Sequence, residues 1–460
     1  MKFLIAVLAA LAKGGGERAK PVRLLCGVAS AALLLTFTGS AAADWPEFGY
    51  DPGRHNVGPA SSGISAAKVG KLHRRTVELD GTVDSSPISV HGTIYVTTTY
   101  GRTEAIAASS GRVRWRYTPP SYDSYAGSAR ITNMTPIADP DGTAIYAGAP
   151  DGRIVKLAIA SGKVLWSTSI TRDPTHEKLT SSLNFSRGLV VATTGGYIGD
   201  APPYQGHVVT LKRTNGHIVH VWNSLCSDRH AIIQPSTCAS SDSAIWARSG
   251  TVVLPGSGNL LVATGNGPYN GSTDFGDSVI ELSPDAARMV GHWTPPNQAE
   301  LERTDADLGS TAPALLSGGY FVQGGKEGLL RLITRSLRAV QTVPTPGSTA
   351  LFSAPATWQG KWVFVASGNG TDAWMLRSGK LQKAWSNGHD GTSPVVAGGL
   401  LYVQGNGVIR VYRTTSGHEL AQLPCGSVHW QSPIVDGGRV IAAEGNANEH
   451  RTSGTLDIYS

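Results

Sequence analysis

One ending recurs along this chain and limits what it can fold into. Ala108-Ser109-Ser110-Gly111-Arg112-Val113-Arg114-Trp115 returns as Ala158-Ile159-Ala160-Ser161-Gly162-Lys163-Val164-Leu165-Trp166. Looser copies run from Thr214-Asn215-Gly216 to Trp222, from Ser283-Pro284-Asp285 to Trp293, from Arg377-Ser378-Gly379 to Trp385, and from Thr415-Ser416-Gly417 to Leu420. Each reads as a hairpin turn followed by a strand, and each is preceded by two more apolar, β-branched runs. A period of about 35 to 55 residues means a unit that cannot bury its own apolar faces and must stack on its neighbours. Opening strands near Ser86, Thr135, Ser182, Thr251, Ala312, Ala354, Ser393 and Ser432 predict eight units of four strands. The last unit ends at Ser460 one strand short, and the segment from Lys71 to Leu79 has the alternation to complete it. The expected fold is therefore all-β: an eight-bladed β-propeller of four-stranded antiparallel blades, closed by an N-terminal strand. A charged fraction of only 16% and 56 glycines in 460 residues suit many short strands and tight turns.

The first 43 residues stand apart. Lys13, Arg18, Lys20 and Arg23 precede an apolar run from Leu24 to Phe37 that ends in Ser40-Ala41-Ala42-Ala43, the pattern of a secretory leader. Cleavage after Ala43 leaves Asp44 to Ser460 as one propeller domain in an extracytoplasmic, periplasmic or secreted, compartment. The membrane enters only if the leader stays uncleaved. The leader holds five Lys/Arg and one acid, so the formal charge of +6 falls to about +2 without it, and nucleic acid is not an expected partner. From Trp45-Pro46-Glu47-Phe48-Gly49 to about Val69 the chain reads as a Gly, Ser and Pro-containing link. Cys226 and Cys238 lie close together in a polar loop and are expected to pair in an oxidising compartment, with Cys425 left as a buried hydrophobe. No Cys-x-x-Cys-His occurs, so the chain carries no c-type haem of its own.

The Ala-x-x-x-Gly-x-x-x-Trp endings resemble those of the pyrroloquinoline quinone (PQQ) repeat propellers over nearly all of the chain after the leader. Within that family the chain looks nearest to the polyvinyl-alcohol dehydrogenase-like branch of quinoprotein alcohol dehydrogenases, without a cytochrome domain. The same repeat also resembles the cofactor-free scaffold propellers of outer-membrane assembly. The first resemblance implies PQQ and calcium as cofactors. Thr264-Gly265-Asn266-Gly267 is similar to the family's Thr-Gly-Asn-Gly, which implies Asn266 as a calcium ligand. Thr304-Asp305-Ala306-Asp307 falls where the family has Trp-Asp-Tyr-Asp, implying Asp305 as the catalytic base and Asp305 and Asp307 beside the metal. Gly325-Lys326-Glu327-Gly328 resembles the Lys-x-Gly that meets a quinone oxygen. Trp246 stands where the family stacks an indole under the cofactor, and Thr180 and Arg130 fall near positions that hold its carboxylates.

Each of these has a plain reading as well: a Gly-Asn-Gly turn, a solvated Asp-x-Asp loop, an exposed hairpin lysine, a tryptophan between blades. The chain also departs from the family at Tyr197, where a calcium-binding glutamate is expected, with only Asp200 nearby to replace it. Three functions follow from this reading. The first is a quinone-dependent dehydrogenase of alcohols. The second is a non-catalytic propeller presenting its loops to an envelope protein. The third is a sugar- or polymer-binding propeller using the loops near Tyr204 and Tyr269.

Overall fold

The computed structural model describes residues 44–197 and 201–460. The leader and Asp200 lie outside the described residues. Among those described, eight four-stranded antiparallel sheets form the blades, each opening within a few residues of the expected position. A two-stranded pair, Glu177–Lys178 with Gly195–Gly196, flanks the third blade. In the first blade Ile88–Val90, Thr93–Thr97 and Thr103–Ala107 are buried along their whole length, whereas the outermost strand, Val113–Tyr117, alternates. Inner strands are sandwiched between neighbouring blades and tolerate small and β-branched residues on both faces, and the outer strand meets water on one side.

The recurrent Gly and Trp explain how blades join. The Trp115 indole N–H donates to the Ile159 carbonyl of the next blade at 2.8 Å, and the same bond recurs from Trp166 to Arg213 at 3.1 Å and from Trp385 to Thr414 at 2.9 Å. Each indole lies over the glycine of the following hairpin. A Cβ at Gly162 would stand 2.5 Å from Trp115, one at Gly216 2.6 Å from Trp166, and one at Gly417 2.7 Å from Trp385. These glycines also sit in the left-handed region, at φ +69, +71 and +68°. The repeat is thus a lock between successive blades. Arg74–Leu79 pairs antiparallel with Gly454–Tyr459, from Arg74 opposite Tyr459 to Leu79 opposite Gly454, and closes the ring as expected.

The stretch read as a link does more than connect. The free edges of the innermost strands face the channel, and residues 44–62 run along them at one end. Trp45 exchanges backbone hydrogen bonds with Ser89 of the first blade, Pro46 accepts from Ala138 of the second and Pro52 from Val253 of the fourth. His55 then accepts from Thr357 of the sixth, Asn56 from Val396 of the seventh and Ser62 from Gly438 of the eighth. At its centre Arg54, 1% exposed, pairs with Glu47 at 2.8 Å and donates to the carbonyls of Phe48, Leu183 and Ser249. The correction has a physical cause: a strand edge inside a channel must find partners, and a polar Gly/Pro-rich segment can follow a curved row of edges that a regular strand cannot. Cys226 and Cys238 form the expected disulfide, and Cys425 is free and buried.

If the Trp and Gly lock carries the packing between blades, Gly162→Ala should cost about 2–4 kcal/mol, from left-handed strain plus the collision with Trp115. Gly188→Ala, at φ +81° with nothing within 4 Å of its Cβ, should cost only about 1–2 kcal/mol. Denaturant midpoints of the two variants check this; equal losses would remove the lock.

Candidate functional site

The other end of the channel is built from the crossings between blades. After the fourth blade the chain forms a short helix, Gln298–Arg303, which ends in a Schellman motif. Ala306 N–H bonds back to Leu301, Asp305 N–H to Glu302, and Ala306 packs near Leu301. Asp305 occupies the left-handed position at φ 53°, a conformation Asp accepts more readily than most residues. This turn separates two carboxylates that are close in sequence: Asp305 is more than half exposed, and Asp307 is buried. The Asn266 turn follows Leu260–Ala263, and Lys326 lies in the hairpin between Tyr320–Gln323 and Leu329–Thr334.

These residues converge. Lys326 Nζ lies 2.6 Å from Asp305 Oδ1 and 2.5 Å from Asp307 Oδ2. The Asn266 carboxamide donates to Asp305 Oδ1 at 3.0 Å, and its backbone N–H donates to Asp307 Oδ1 at 2.7 Å. Gly265 makes the approach of Asp307 feasible, since a Cβ there would stand 2.2 Å from Asp307 Oδ1. Burial pushes Asp307 up to about 6 against the pull of Lys326. Burial lowers Lys326, but Asp307 and Asp305 outweigh it and hold the ammonium above its usual value. Beneath them Asp277, fully buried and accepting from Leu308 N–H at 3.0 Å, is pushed by burial up to about 8, which keeps it neutral at pH 7.

The cluster forms one wall of a cavity of about 480 Å³. Aromatic rings make the second wall. Trp246 lies 5.7 Å from Trp430 and 6.1 Å from Phe352, and Phe352 and Trp430 stack at 4.8 Å with 6° between their planes. The third wall is cationic. Arg248 pairs with buried Asp84 at 2.8 Å, and His429 meets the same carboxylate at 2.8 Å. Lys178, 7% exposed, reaches the cavity with no hydrogen-bond acceptor or ion-pair partner among the described residues. Burial, reinforced by Arg248, lowers it to about 7.

Of the other expected residues, Trp246 and Thr180 line this cavity, and Lys326 lies 5.6 Å from the Trp246 ring. Arg130 does not line it; its guanidinium sits 5.1 Å over the Tyr197 ring. Tyr197 is buried at the position expected to carry a glutamate, and its hydroxyl donates to the Pro174 carbonyl at 3.2 Å. Tyr204 lines the cavity, whereas Tyr269 packs against Phe275 and His292 outside it, so the loops expected to bind sugar together are not joined.

The residues expected to bind calcium do not form a calcium shell. Calcium takes about six to eight oxygens. Here the Lys326 ammonium already stands between the two carboxylates, Tyr197 supplies no charge, and no group of three or more His, Cys, Asp or Glu could hold a metal among the described residues. Asn266 Oδ1, buried and unpartnered, is one free oxygen. A flat acidic ring system fits better: aromatic faces on one side, an unpaired buried ammonium and a guanidinium on the other.

Sequence reasoning missed Lys178, Arg248, Phe352, His429, Trp430 and Asp84. The repeat held a signal for half of them. Asp84, Asn133, Thr180, Phe352 and Trp430 each stand two positions before the opening residue of a blade, at Ser86, Thr135, Ser182, Ala354 and Ser432. That slot points into the channel from blade after blade.

Known proteins share this architecture. A family model described as outer membrane protein assembly factor BamB matches residues 66–248. Quinohemoprotein alcohol dehydrogenase ADH IIB of Pseudomonas putida is 24% identical over 294 residues, covering 59% of this chain and 42% of that protein. The dehydrogenase subunit of a quinone alcohol dehydrogenase from Gluconobacter oxydans is 22% identical over 330 residues, covering 64% of this chain and 42% of that subunit. The chain thus spans about two fifths of the length of these relatives. Among solved structures, the quinohemoprotein alcohol dehydrogenase of Comamonas testosteroni superposes with a TM-score of 0.73 at 17% identity, over 91% of this chain and 80% of that one. A europium-containing methanol dehydrogenase gives 0.69 at 14%, over 91% and 98%. BamB of Moraxella catarrhalis gives 0.57 at 15%, over 85% and 99%. By its repeats and its eight blades the chain has the β-propeller fold of these proteins, and it is similar to the PQQ-repeat, quinoprotein alcohol dehydrogenase-like propellers.

Proposed function

We propose that this protein is an exported, quinone-dependent dehydrogenase of alcohols that passes electrons to a separate acceptor. The observation that carries the reading is Lys178, a buried amine with no ion-pair or hydrogen-bond partner among the described residues, beside Arg248 and facing an aromatic wall. A cation buried unpaired is costly, and a ligand carboxylate would relieve that cost. Lys178, Arg248 and Asn133 would hold the acidic groups of a quinone such as PQQ, with Thr180 beside them and Trp246 at its face. When bound, the quinone supplies the electrophilic carbonyl that accepts hydride from the alcohol carbon. Asp305 would accept the alcohol's hydroxyl proton at Oδ2, the oxygen that neither Lys326 nor Asn266 engages. Lys326 would then balance negative charge at the reacting end, and Trp246, Phe352 and Trp430 would keep water from it.

Lys326 also takes over the neutralising role that the resemblance gives to calcium. A divalent ion at Asp305 and Asp307 would have to displace an ammonium already in contact with both, leaving two like charges side by side.

A second reading, a scaffold propeller that binds an envelope protein, is favoured by Tyr197 in place of the glutamate and by the family match over residues 66–248. Reconstitution distinguishes the two. The mature protein should quench its tryptophan fluorescence on titration with PQQ and reduce an artificial dye when an alcohol is added; absence of quinone binding favours the scaffold.

Four results are expected of the enzyme. Because Lys178 titrates at about 7 when free and an acidic ligand selects its charged form, quinone affinity should be higher at about pH 6 than at about pH 8. Lys178→Met should weaken binding about tenfold or more and flatten that pH dependence, read by fluorescence titration. Asp305→Asn should lower dye reduction by about 10²- to 10⁴-fold while quinone retention, read by absorbance, stays close to wild type. Dialysis against EDTA should leave retention unchanged in the wild type and reduce it in calcium-loaded Lys326→Ala; metal-dependent retention in the wild type would return Asp305 and Asp307 to a cation.

A further inference from the structure

A second hollow, of about 340 Å³, opens at the same end of the ring between the sixth, seventh and eighth blades. Phe352, His429 and Trp430 line both hollows, so the Phe352–Trp430 stack, with His429 3.8 Å from Trp430, is the partition between them. The two sides differ in chemistry. The first holds Lys178, Arg248 and Lys326. Among the described residues the second is lined by no lysine or arginine, and apart from His429 its one ionisable side chain is Asp390.

Most hydroxyls around the second hollow are already committed to backbone carbonyls. Thr349 donates to Pro346 at 3.1 Å, Ser367 to Pro346 at 3.2 Å and Thr392 to Gln431 at 2.6 Å. What remains for a ligand is a short set. Asp390 accepts one long hydrogen bond, 3.3 Å from Asn406 N–H. The Asn369 carboxamide has no partner among the described residues, and Asn406 uses its Oδ1 on Val428 N–H and leaves its NH₂ free. Gly368 borders them with nothing within 4 Å of the place a Cβ would take, so the hollow is open there.

We propose that this second hollow binds a neutral carbohydrate. A carboxylate acceptor and two carboxamides, each able to donate twice and accept, match the alternating donors and acceptors of adjacent sugar hydroxyls. The aromatic partition offers an apolar border for the C–H groups of a pyranose ring. An acidic ligand would meet Asp390 and no cation, and a purely apolar one would strip Asp390 and Asn369 of water without return. The size suits a single hexose ring, with the opening at Gly368 leaving room for a longer chain. This site does not require the first hollow to hold a quinone.

The test is saturation-transfer NMR and calorimetry on the full chain, with glucose, galactose, mannose and their disaccharides against glucuronate as the charged control. At least one neutral sugar should bind, glucuronate should bind at least about tenfold more weakly, and Asp390→Ala and Asn369→Ala should each weaken the neutral sugar by about tenfold. Asn369 is exposed, so its variant tests the site even if Asp390→Ala fails to fold. Lys178→Met, in the other hollow, should leave sugar binding intact whether or not quinone binds. Failure of every neutral sugar at millimolar concentration, equal binding of glucuronate, or unchanged affinity in folded Asn369→Ala would overturn the proposal.

Discussion

The ring depends on one pairing between chain ends. Until Arg74–Leu79 adds to Gly454–Tyr459, the last blade lacks its outer strand and the first has no neighbour on one side. Backbone pairing alone would leave that seam weak, because a strand of this length contributes few hydrogen bonds against the entropy of bringing distant residues together. Buried Asp457 strengthens it, accepting from Thr76 at 2.7 Å and pairing with Arg74 at 2.7 Å. Val77 then does at the seam what tryptophan does elsewhere: a Cβ at Gly111 would stand 2.8 Å from its Cγ2. The contact that locks blades elsewhere is therefore kept at the seam, with a smaller residue where the chain must enter.

Closure creates the channel, and the channel's two ends have opposite solutions to the same problem. At one end the row of inner strand edges is satisfied by residues 44–62, anchored on the buried Arg54 guanidinium. At the other end the blade crossings carry side chains inward and leave space between them. That space is divided by charge and by the Phe352–Trp430 stack, with cations on one side and an acid with carboxamides on the other. The cationic groups are thus confined to one side of the partition, so an anionic ligand would find lysine and arginine in the first hollow and none lining the second among the described residues.

Much of this was legible in the residues. The Gly and Trp of each ending predicted hairpins and blade contacts, since left-handed glycine and a large indole each have few alternative uses in an all-β chain. Asn266, Asp305 and Lys326 could be expected at one sector because their units are adjacent in the ring. Which atoms meet was not legible. Asp305 and Asp307 look equivalent in the sequence, and only the Schellman turn after Arg303 exposes one and buries the other. Arg130 looked like a cavity residue and turned instead onto Tyr197, whose ring fills the place expected for a carboxylate.

By itself the sequence determined an all-β chain, the number of blades, the closing strand, and the cysteine pair, because period, turn chemistry and strand alternation act over short distances and repeat. The tertiary structure alone decided that residues 44–62 line the channel, that Lys326 stands between two carboxylates, and that Lys178 is buried without a partner among the described residues. Those facts depend on groups from blades far apart in the chain being brought to one axis. Burial, charge pairing and cavity shape arise only from that convergence, and no local pattern encodes them.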